Sequence, residues 1–228
     1  MAKSVGLDIH ARGVRAVEVA GRGKNFKVTR YMDREVTARG GAADPEELRA
    51  ALAEIFKSFS KNHVITNIEA QETIVREIPI PFKSDDQIRK VIKYEAEHHL
   101  HNCDADDVIV QYTKIGETAD ATNLLVFAAR KTEVSRRIEH ARSAGVEPLK
   151  MDLDALALYR AVSLAGHFDE TPNAVVLNIG HRATTLVFVG DGDVRALRSV
   201  RIGVDSIAQG LARDMDIDFY EADHKLSE

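Results

Sequence analysis

The sequence has little of three features that would place it in a special class of protein. It has one cysteine among 228 residues, and a single cysteine cannot form a disulfide within the chain. Its longest apolar run, residues 124–129, is far shorter than the ~18 residues of a membrane-spanning segment. The first residues lead into a strand pattern without the apolar core of a signal peptide. We therefore expect a cytoplasmic protein.

The chain also lacks a strong charge of either sign. Its 31 basic and 36 acidic residues give a formal net charge of −5. Residues 214–228 contain six acids and one base, so this segment alone accounts for the net charge. A basic field that would attract a phosphate backbone or an anionic lipid surface is missing. The composition therefore argues against binding to nucleic acid and against direct binding to a membrane.

What the sequence does contain is the alternation of strand and helix patterns that is typical of an α/β protein. Three strands joined by tight turns are predicted within residues 4–36. Asp44, Ser84 and Thr132 are each predicted to cap a following helix, and Glu47 is placed to complete a box-like arrangement with Asp44. Strand patterns separate these helices, so sheets and helices should pack in layers.

A second meander begins near residue 174 and repeats features of the first. Residues 184–189 and 194–200 are predicted to pair across Asp191 and Gly192, a strong hairpin signal. Residues 218–221 have the pattern of another capping box. We therefore expect the acidic end of the chain to be helical.

Two strand–turn–strand units carry the chemical signal: LDIHARGVR at residues 7–15 and LNIGHRATT at residues 177–185. The pair resembles the two phosphate loops of the actin-like ATPase superfamily. In such loops glycine lets backbone N–H groups approach phosphate oxygens, hydroxyls add hydrogen bonds, and carboxylates orient a metal and its waters. The resemblance implies ATP with Mg²⁺ as the cofactor. The residues that it places at phosphate-binding positions are Asp8, His10, Ala11, Arg12, Asn178, Gly180, Thr184 and Thr185.

The stretches around the loops narrow the resemblance. IPIP at residues 78–81, YEAE at 94–97, MDLDALAL at 151–158 and RSVRIGVD at 198–205 resemble the PilM family of type IV pilus assembly proteins, which is related to the division protein FtsA. The implied fold is an α/β, actin-like (ribonuclease H-like) domain with an inserted strand–helix–strand–strand subdomain and only part of a second actin-like subdomain. The implied divisions are residues 1–78 for the first subdomain, 79–151 for the insert, 152–171 for a return helix and 172–228 for the partial second subdomain.

The function implied by this resemblance is that of a cytoplasmic platform in type IV pilus or related secretion machinery. Such a platform lies at the inner membrane through its partner, because it binds the N-terminal peptide of the membrane protein PilN in a groove between subdomains. Two alternatives remain open: an ATP-dependent kinase for a small, sugar-type molecule, and an FtsA-like division protein. The kinase needs a positioned carboxylate base and a complete metal–phosphate site. We expect no catalytic residue.

Departures from the loop pattern predict weak or absent ATP binding. His10 stands where the family has glycine, Ala11 where it has a hydroxyl, and Asn178 where it has an aspartate. The second subdomain also lacks the adenosine-binding segment within these 228 residues, so slow ATPase activity is expected only if that part is supplied. Arg12 and Arg182 have two interpretations, phosphate contact or a solvated hairpin tip.

A cluster of histidines and acids near the end of the second predicted long helix has the residue types of a transition-metal site. His98 and His101 share a helix face, and Cys103 and Asp104 follow. Histidines at a helix C-terminus are favoured by the helix dipole, and aspartates suit a solvated loop. We therefore predict no metal site, and Cys103 has no adjacent cation that would activate its thiol.

Two parts of the sequence are predicted to lie at the surface. The adjacent Arg136 and Arg137 are interpreted as members of an exposed helix face. Phe219, Tyr220 and Leu226 are apolar residues near the end of the chain that the partial subdomain leaves without cover. Exposed apolar surface favours association, so we predict a homo-oligomer.

Overall fold

The computed structural model describes residues 3–23, 25–39, 42–100 and 104–226. His101 and Cys103 lie outside the described residues, so the predictions that involve them stay untested. None of the helices in the described ranges combines the length and apolar character that a bilayer crossing requires.

The elements follow the alternation predicted from the sequence. The strands are β1 (Lys3–His10), β2 (Gly13–Arg22), β3 (Asn25–Glu35), β4 (Ala38–Arg39), β5 (Ala42–Ala43), β6 (Val64–Ile68), β7 (Thr73–Ile80), β8 (Val108–Glu117), β9 (Thr122–Arg130), β10 (Lys150–Leu153), β11 (Ala174–Ile179), β12 (Thr184–Gly190) and β13 (Asp193–Val200). The helices are α1 (Pro45–Ile55), α2 (Asp85–His99), α3 (Lys131–Ser143), α4 (Asp154–Leu164), α5 (His167–Glu170), α6 (Val204–Met215) and α7 (Phe219–Lys225).

The first sheet has five strands in the order β10-β6-β1-β2-β3. Strands β1, β2 and β3 are antiparallel, whereas β6 and β10 add in parallel. Val5, Leu7 and Ile9 alternate along β1 and are buried in the core beneath α1, with Leu52 and Ile55 of that helix. The alternate residues of β1 point to the opposite face of the sheet. That face is left open for the cleft described below.

The insert forms a three-stranded sheet in the order β7-β9-β8. Helix α2 covers one face, where Ile78, Ile88 and Leu124 are buried together. Strand β7 runs without interruption from Thr73 to Ile80, so the predicted division between residues 78 and 79 falls inside a strand. Helix α3 lies within the predicted insert, but its Ala141 is buried in the core beneath α1. The division into subdomains stays a prediction.

The second sheet has the order β11-β12-β13 and shares a core with the insert. Leu125 and Phe127 of the insert are buried with Val187 and Leu197 of the second sheet and with residues of α4. The tight turn between β12 and β13 has positive φ angles of 55° at Asp191 and 80° at Gly192, as the predicted hairpin requires. The insert sheet therefore lies between α2 and the second sheet.

Two of the predicted helix caps form and two do not. Asp44 accepts hydrogen bonds from the N–H groups of Glu46 and Glu47, and Asp218 accepts one from Glu221. The Glu47 carboxylate does not complete a box with Asp44, because its Oε2 accepts from the Thr37 N–H at 2.8 Å.

The predictions for Ser84 and Thr132 were wrong. Ser84 occupies the N-cap position but its hydroxyl makes no capping bond; its carbonyl oxygen accepts from the Gln87 N–H instead, at 3.1 Å. Strand β9 runs directly into α3, so Arg130 occupies the N-cap position and Thr132 lies within the helix.

Candidate functional site

A cleft of about 560 Å³ lies where the open face of the first sheet meets the turn after β11. Six of the predicted phosphate-site residues line it: Asp8, His10, Ala11, Asn178, Gly180 and Thr185. The turn after β1 and the turn after β11 therefore meet at one site although they are far apart in the sequence. The other two predicted residues, Arg12 and Thr184, donate hydrogen bonds to groups of the protein itself.

Asp8 is held in place by a residue of the neighbouring strand. Asn67 Nδ2 donates to Asp8 Oδ1 at 2.7 Å, and Asn67 Oδ1 accepts from the Ile9 N–H at 3.1 Å. This pair of bonds fixes one Asp8 oxygen and ties β1 to the end of β6. Asn67 was not singled out from the sequence, because its position in the strand gives no local sign of that role.

His10 meets a second histidine across the cleft. The rings of His10 and His181 are stacked, with centroids 5.9 Å apart and an interplanar angle of 18°. His10 Nε2 and His181 Nδ1 are buried and have no hydrogen-bond partner among the described residues. Burial lowers the pKa of both imidazoles by more than the nearby aspartates raise it, and Arg15 near His10 and Arg12 near His181 lower it further. Both rings are therefore neutral at pH 7.

Arg12 points away from the cleft and holds two aspartates. Its Nη2 is 2.6 Å from Asp205 Oδ1 on α6, and its Nη1 is 2.6 Å from Asp223 Oδ2 on α7. Its Cζ atom also lies 5.7 Å from the centre of the Phe219 ring. Burial lowers the pKa of Arg12, but the two aspartates outweigh it and raise the pKa overall. The sequence suggested either a phosphate contact or a solvated hairpin tip for Arg12, and neither describes this contact with two aspartates.

The second turn satisfies its own polar groups. The Gly180 N–H donates to the Ala183 carbonyl at 3.0 Å, and the Thr184 hydroxyl donates to the Ile202 carbonyl at 2.6 Å. A Cβ atom at Gly203 would lie 2.5 Å from the Gly180 oxygen. The start of α6 is therefore packed directly against the backbone of this turn.

Asn178 and Thr185 are neighbours on adjacent strands of the second sheet. Thr185 is buried, and Asn178 places a neutral amide where the loop pattern has a carboxylate. On the first turn, Ala11 lines the cleft with a methyl group only. Burial raises the pKa of Glu69, but Arg137 outweighs it and lowers that pKa below its ordinary value. Arg182, which also lines the cleft, lowers the pKa of Glu69 by a smaller effect.

A carboxylate that the sequence reasoning missed lies in the cleft at the start of α4. Asp154 Oδ1 accepts from the Ala70 N–H at 2.9 Å and from the Ala155 N–H at 2.6 Å. Burial raises the pKa of Asp154 to about 6, because its effect is larger than the lowering caused by these two hydrogen bonds. The signal was present in the MDLDALAL segment at residues 151–158, where an acid directly precedes a helical apolar pattern.

The adjacent Arg136 and Arg137 differ completely in environment. The Arg136 side chain is 46% exposed and the Arg137 side chain 4%, so the predicted exposed position is wrong for Arg137. Arg137 Nη2 lies 2.8 Å from Glu69 Oε1 and 2.7 Å from Glu72 Oε2, and Nη1 donates to the Ile9 carbonyl. Arg137 therefore connects α3 to the last residues of β1, beside the cleft.

The two turns do not fit a magnesium-bound triphosphate. The Arg12 guanidinium and the Thr184 hydroxyl donate to groups of the protein itself. The Gly180 N–H is bonded within its own turn. The rings of His10 and His181 are in contact between the two turns, and such a separation is that of directly packed rings. Three of the donors at the predicted phosphate-binding positions, those of Arg12, Gly180 and Thr184, are thus already bonded.

The predicted lack of a metal site is not decided by the structure. Within the described residues, which exclude His101 and Cys103, no cluster of three or more histidine, cysteine or acidic side chains is arranged to hold a metal ion. His98 Nδ1 lies 3.0 Å from the Tyr94 carbonyl oxygen one helical turn earlier.

Comparison with known proteins decides the family. The family model for type IV pilus assembly protein PilM matches residues 6–228. This chain belongs to the PilM family. The match confirms the resemblance drawn from the loops and from the segments around them. The chain is a type IV pilus assembly protein with an actin-like fold. No curated protein matches the chain.

Solved structures support the fold of this PilM family member. The PilM–PilN type IV pilus biogenesis complex aligns with a TM-score of 0.77 and 23% identity, over 97% of this chain and 68% of that chain. The cytoplasmic domain of EpsL, an inner-membrane component of the type II secretion system of Vibrio cholerae, aligns with a TM-score of 0.59 and 12% identity, over 95% and 78%. A Bacteroides thetaiotaomicron protein with an actin-like ATPase fold aligns with a TM-score of 0.52 and 13% identity, over 95% and 78%. The predicted actin-like α/β class is confirmed.

Proposed function

We propose that this protein is a platform of the type IV pilus machinery that binds the N-terminal peptide of a PilN-like membrane protein. The match of residues 6–228 to the PilM family carries the proposal. The similarity over 97% of the chain to the PilM–PilN type IV pilus biogenesis complex supports the choice of partner. On this proposal the protein works in the cytoplasm and is held at the inner membrane through that partner.

We further propose that the platform acts without catalysis and without a requirement for ATP. The support is the state of the two turns, where Arg12 and Thr184 donate to other groups of the protein and Asn178 lacks the carboxylate of the loop pattern. Phosphoryl transfer depends on a complete set of groups that position the phosphates and their metal. Asp8 and Asp154, two carboxylates that line the cleft, do not supply that set without the phosphate donors.

Titration with a labelled N-terminal peptide of the PilN-like protein tests the proposal. Fluorescence anisotropy of the peptide should rise with protein concentration and saturate, whereas a scrambled peptide of equal composition should not respond. Hydrogen exchange with and without the peptide then locates the groove, because bound backbone becomes protected. Absence of binding at high micromolar concentration would count against the platform function.

A matched measurement addresses ATP. Peptide affinity should be equal with and without millimolar Mg·ATP, since linkage requires that a nucleotide which alters the peptide site must itself bind. A change in peptide affinity on adding Mg·ATP would contradict the second part of the proposal while leaving the first intact.

A further inference from the structure

The turns after β1 and β11 meet at one end of the cleft. We propose that His10, Arg12 and His181 form a latch that closes this end of the cleft and holds the two turns together without a bound triphosphate. The latch lies where the loop pattern would place phosphate groups. This inference concerns the cleft alone and does not depend on the binding of a partner peptide.

The stacked rings of His10 and His181 close this end of the cleft. The centroids of His10 and His181 are 5.9 Å apart and the planes differ by 18°, which is the geometry of directly packed, offset rings. A phosphoryl group between the turns would have to separate these rings. The substitution of glycine by His10 thus does more than remove a close backbone approach, because its side chain fills the gap.

The histidines alone do not explain why the closed state is held. His10 Nε2 and His181 Nδ1 are buried without hydrogen-bond partners among the described residues, and a buried polar atom without a hydrogen bond is unfavourable. His181 Nδ1 lies 3.8 Å from Asp205 Oδ1, which is too far for a hydrogen bond. Opening the turns would let water reach both nitrogens. Another contact must therefore hold the turns together.

Arg12 supplies that contact. It lies on the first turn and makes charge-assisted bonds of 2.6 Å to Asp205 on α6 and to Asp223 on α7. Helix α6 is in turn fixed to the second turn, because the Val204 and Asp205 N–H groups donate to the Gly180 and His181 carbonyls at 3.0 and 2.9 Å. One guanidinium therefore connects the first turn to the second through the start of α6.

Hydrogen exchange measured by mass spectrometry tests the role of Arg12 in the full chain. In Arg12→Ala, peptides covering residues 179–184 and 203–207 should exchange at least about tenfold faster, since each charge-assisted bond is worth more than a tenfold change in an equilibrium. Arg213→Ala is the matched control, because it removes one positive charge from the neighbouring helix α6, and among the described residues the hydrogen bond given for Arg213 is to Gln209 of its own helix.

Arg12→Lys is the second variant, in case Arg12→Ala does not fold. A single ammonium lacks the fork geometry that bonds two aspartates, so exchange should again accelerate, by less than in Arg12→Ala. Wild-type protection of both segments in either folded Arg12 variant would overturn the latch.

Thermal denaturation with adenosine, Mg·ATP and inorganic tripolyphosphate tests the closure, because a ligand that binds only the native state raises the midpoint. The wild-type midpoint should not rise with tripolyphosphate, and Mg·ATP should raise it no more than adenosine does. A larger shift with Mg·ATP, or any concentration-dependent shift with tripolyphosphate, would show that phosphates enter and would overturn the proposal. Failure of the PilN-like peptide to bind would leave this result unaffected, so the two proposals can fail separately.

Discussion

Replacement of Arg137 by methionine gives a quantitative test of how the fold supports the cleft. Methionine keeps an unbranched apolar side chain in the buried space but removes the charge and all donors. The change leaves the Ile9 carbonyl without its bond to Arg137, and it removes the ion pairs to Glu69 and Glu72. All three groups lie beside the turn that begins at His10.

The expected loss of stability follows from the contacts that remain. Removal of one partner of a buried ion pair costs about 3–5 kcal/mol. Here Glu72 retains its bond to Arg136 and Glu69 retains its bond to Gln71, so neither carboxylate is left alone. We therefore expect the lower end of this range, about 3 kcal/mol, out of the 5–15 kcal/mol that is usual for a whole domain.

Urea denaturation at pH 7 measures this loss, and the neighbouring residue provides the control. Arg136→Met removes an exposed guanidinium that pairs with Glu72 and Glu133, and exposed pairs contribute about 0–1 kcal/mol. Adding Glu69→Gln and Glu72→Gln to Arg137→Met should restore about half of the loss, because the two partly buried charges that lost the Arg137 guanidinium are then gone.

The pH dependence of the same variant has a definite sign. Burial alone raises the pKa of Glu69, but Arg137 outweighs it and holds the pKa below the ordinary value of 4.5. A depressed pKa means that wild-type Glu69 stabilises the fold above the unfolded-state pKa and loses this effect as the pH falls. The difference between wild type and Arg137→Met should therefore narrow below about pH 4.5. Equal losses below 1 kcal/mol for Arg136→Met and Arg137→Met would refute the buried ion-pair argument.

Three further predictions concern the cleft and the second sheet. Asp154→Asn should stabilise the protein at pH 7.5 by up to about 3 kcal/mol. The pKa of Asp154 is raised to about 6, so the ionised carboxylate destabilises the fold, and each pKa unit corresponds to about 1.4 kcal/mol. In paired urea titrations of wild type and variant, this gain should vanish as the pH falls from 6 to 4. Gly203→Ala should cost about 1–3 kcal/mol in the same assay, since its Cβ would overlap the Gly180 and His181 carbonyls, and an unchanged midpoint would contradict the close packing. Leu177 is 53% exposed on the outer face of the second sheet, between Val175 and Ile179 at 52% each. Because exposed apolar surface favours self-association, Leu177→Glu should lower the apparent mass in concentration-dependent light scattering. A wild-type protein that stays monomeric would contradict self-association through this face.

The local elements of this fold could be predicted from sequence because their signals lie within a few residues. Alternating apolar residues marked β1, and Asp191 with Gly192 marked the hairpin between β12 and β13. Asp44 and Asp218 acted as predicted caps because their bonds reach only two or three residues ahead. Thr132 failed as a cap because β9 runs directly into α3, so the helix begins before this residue. Ser84 lies at the predicted start of α2, but its hydroxyl makes no capping bond.

The site could be predicted only in outline. Two similar turns indicated the cleft, but the bonds that decide its chemistry join distant residues. Arg12 contacts Asp205 and Asp223, which are 193 and 211 positions away, and Arg137 bonds to Ile9 across 128 positions. No pattern within a helix or strand distinguishes a cation that meets such a partner from one that faces water. The roles of these arginines therefore required the three-dimensional arrangement.

The position of β10 in the first sheet has a consequence for synthesis on the ribosome. Strand β10 pairs with β6, yet the whole insert sheet is translated between them. The insert strands are close in sequence and can pair early. The backbone groups at the free edge of β6 stay unpaired until Lys150–Leu153 has been synthesised. The insert face containing Leu125 and Phe127 must wait longer, because Val187 and Leu197 of its shared core follow later. A nascent chain of this protein thus presents an unpaired strand edge and an apolar sheet face together until residues 150–153 are made.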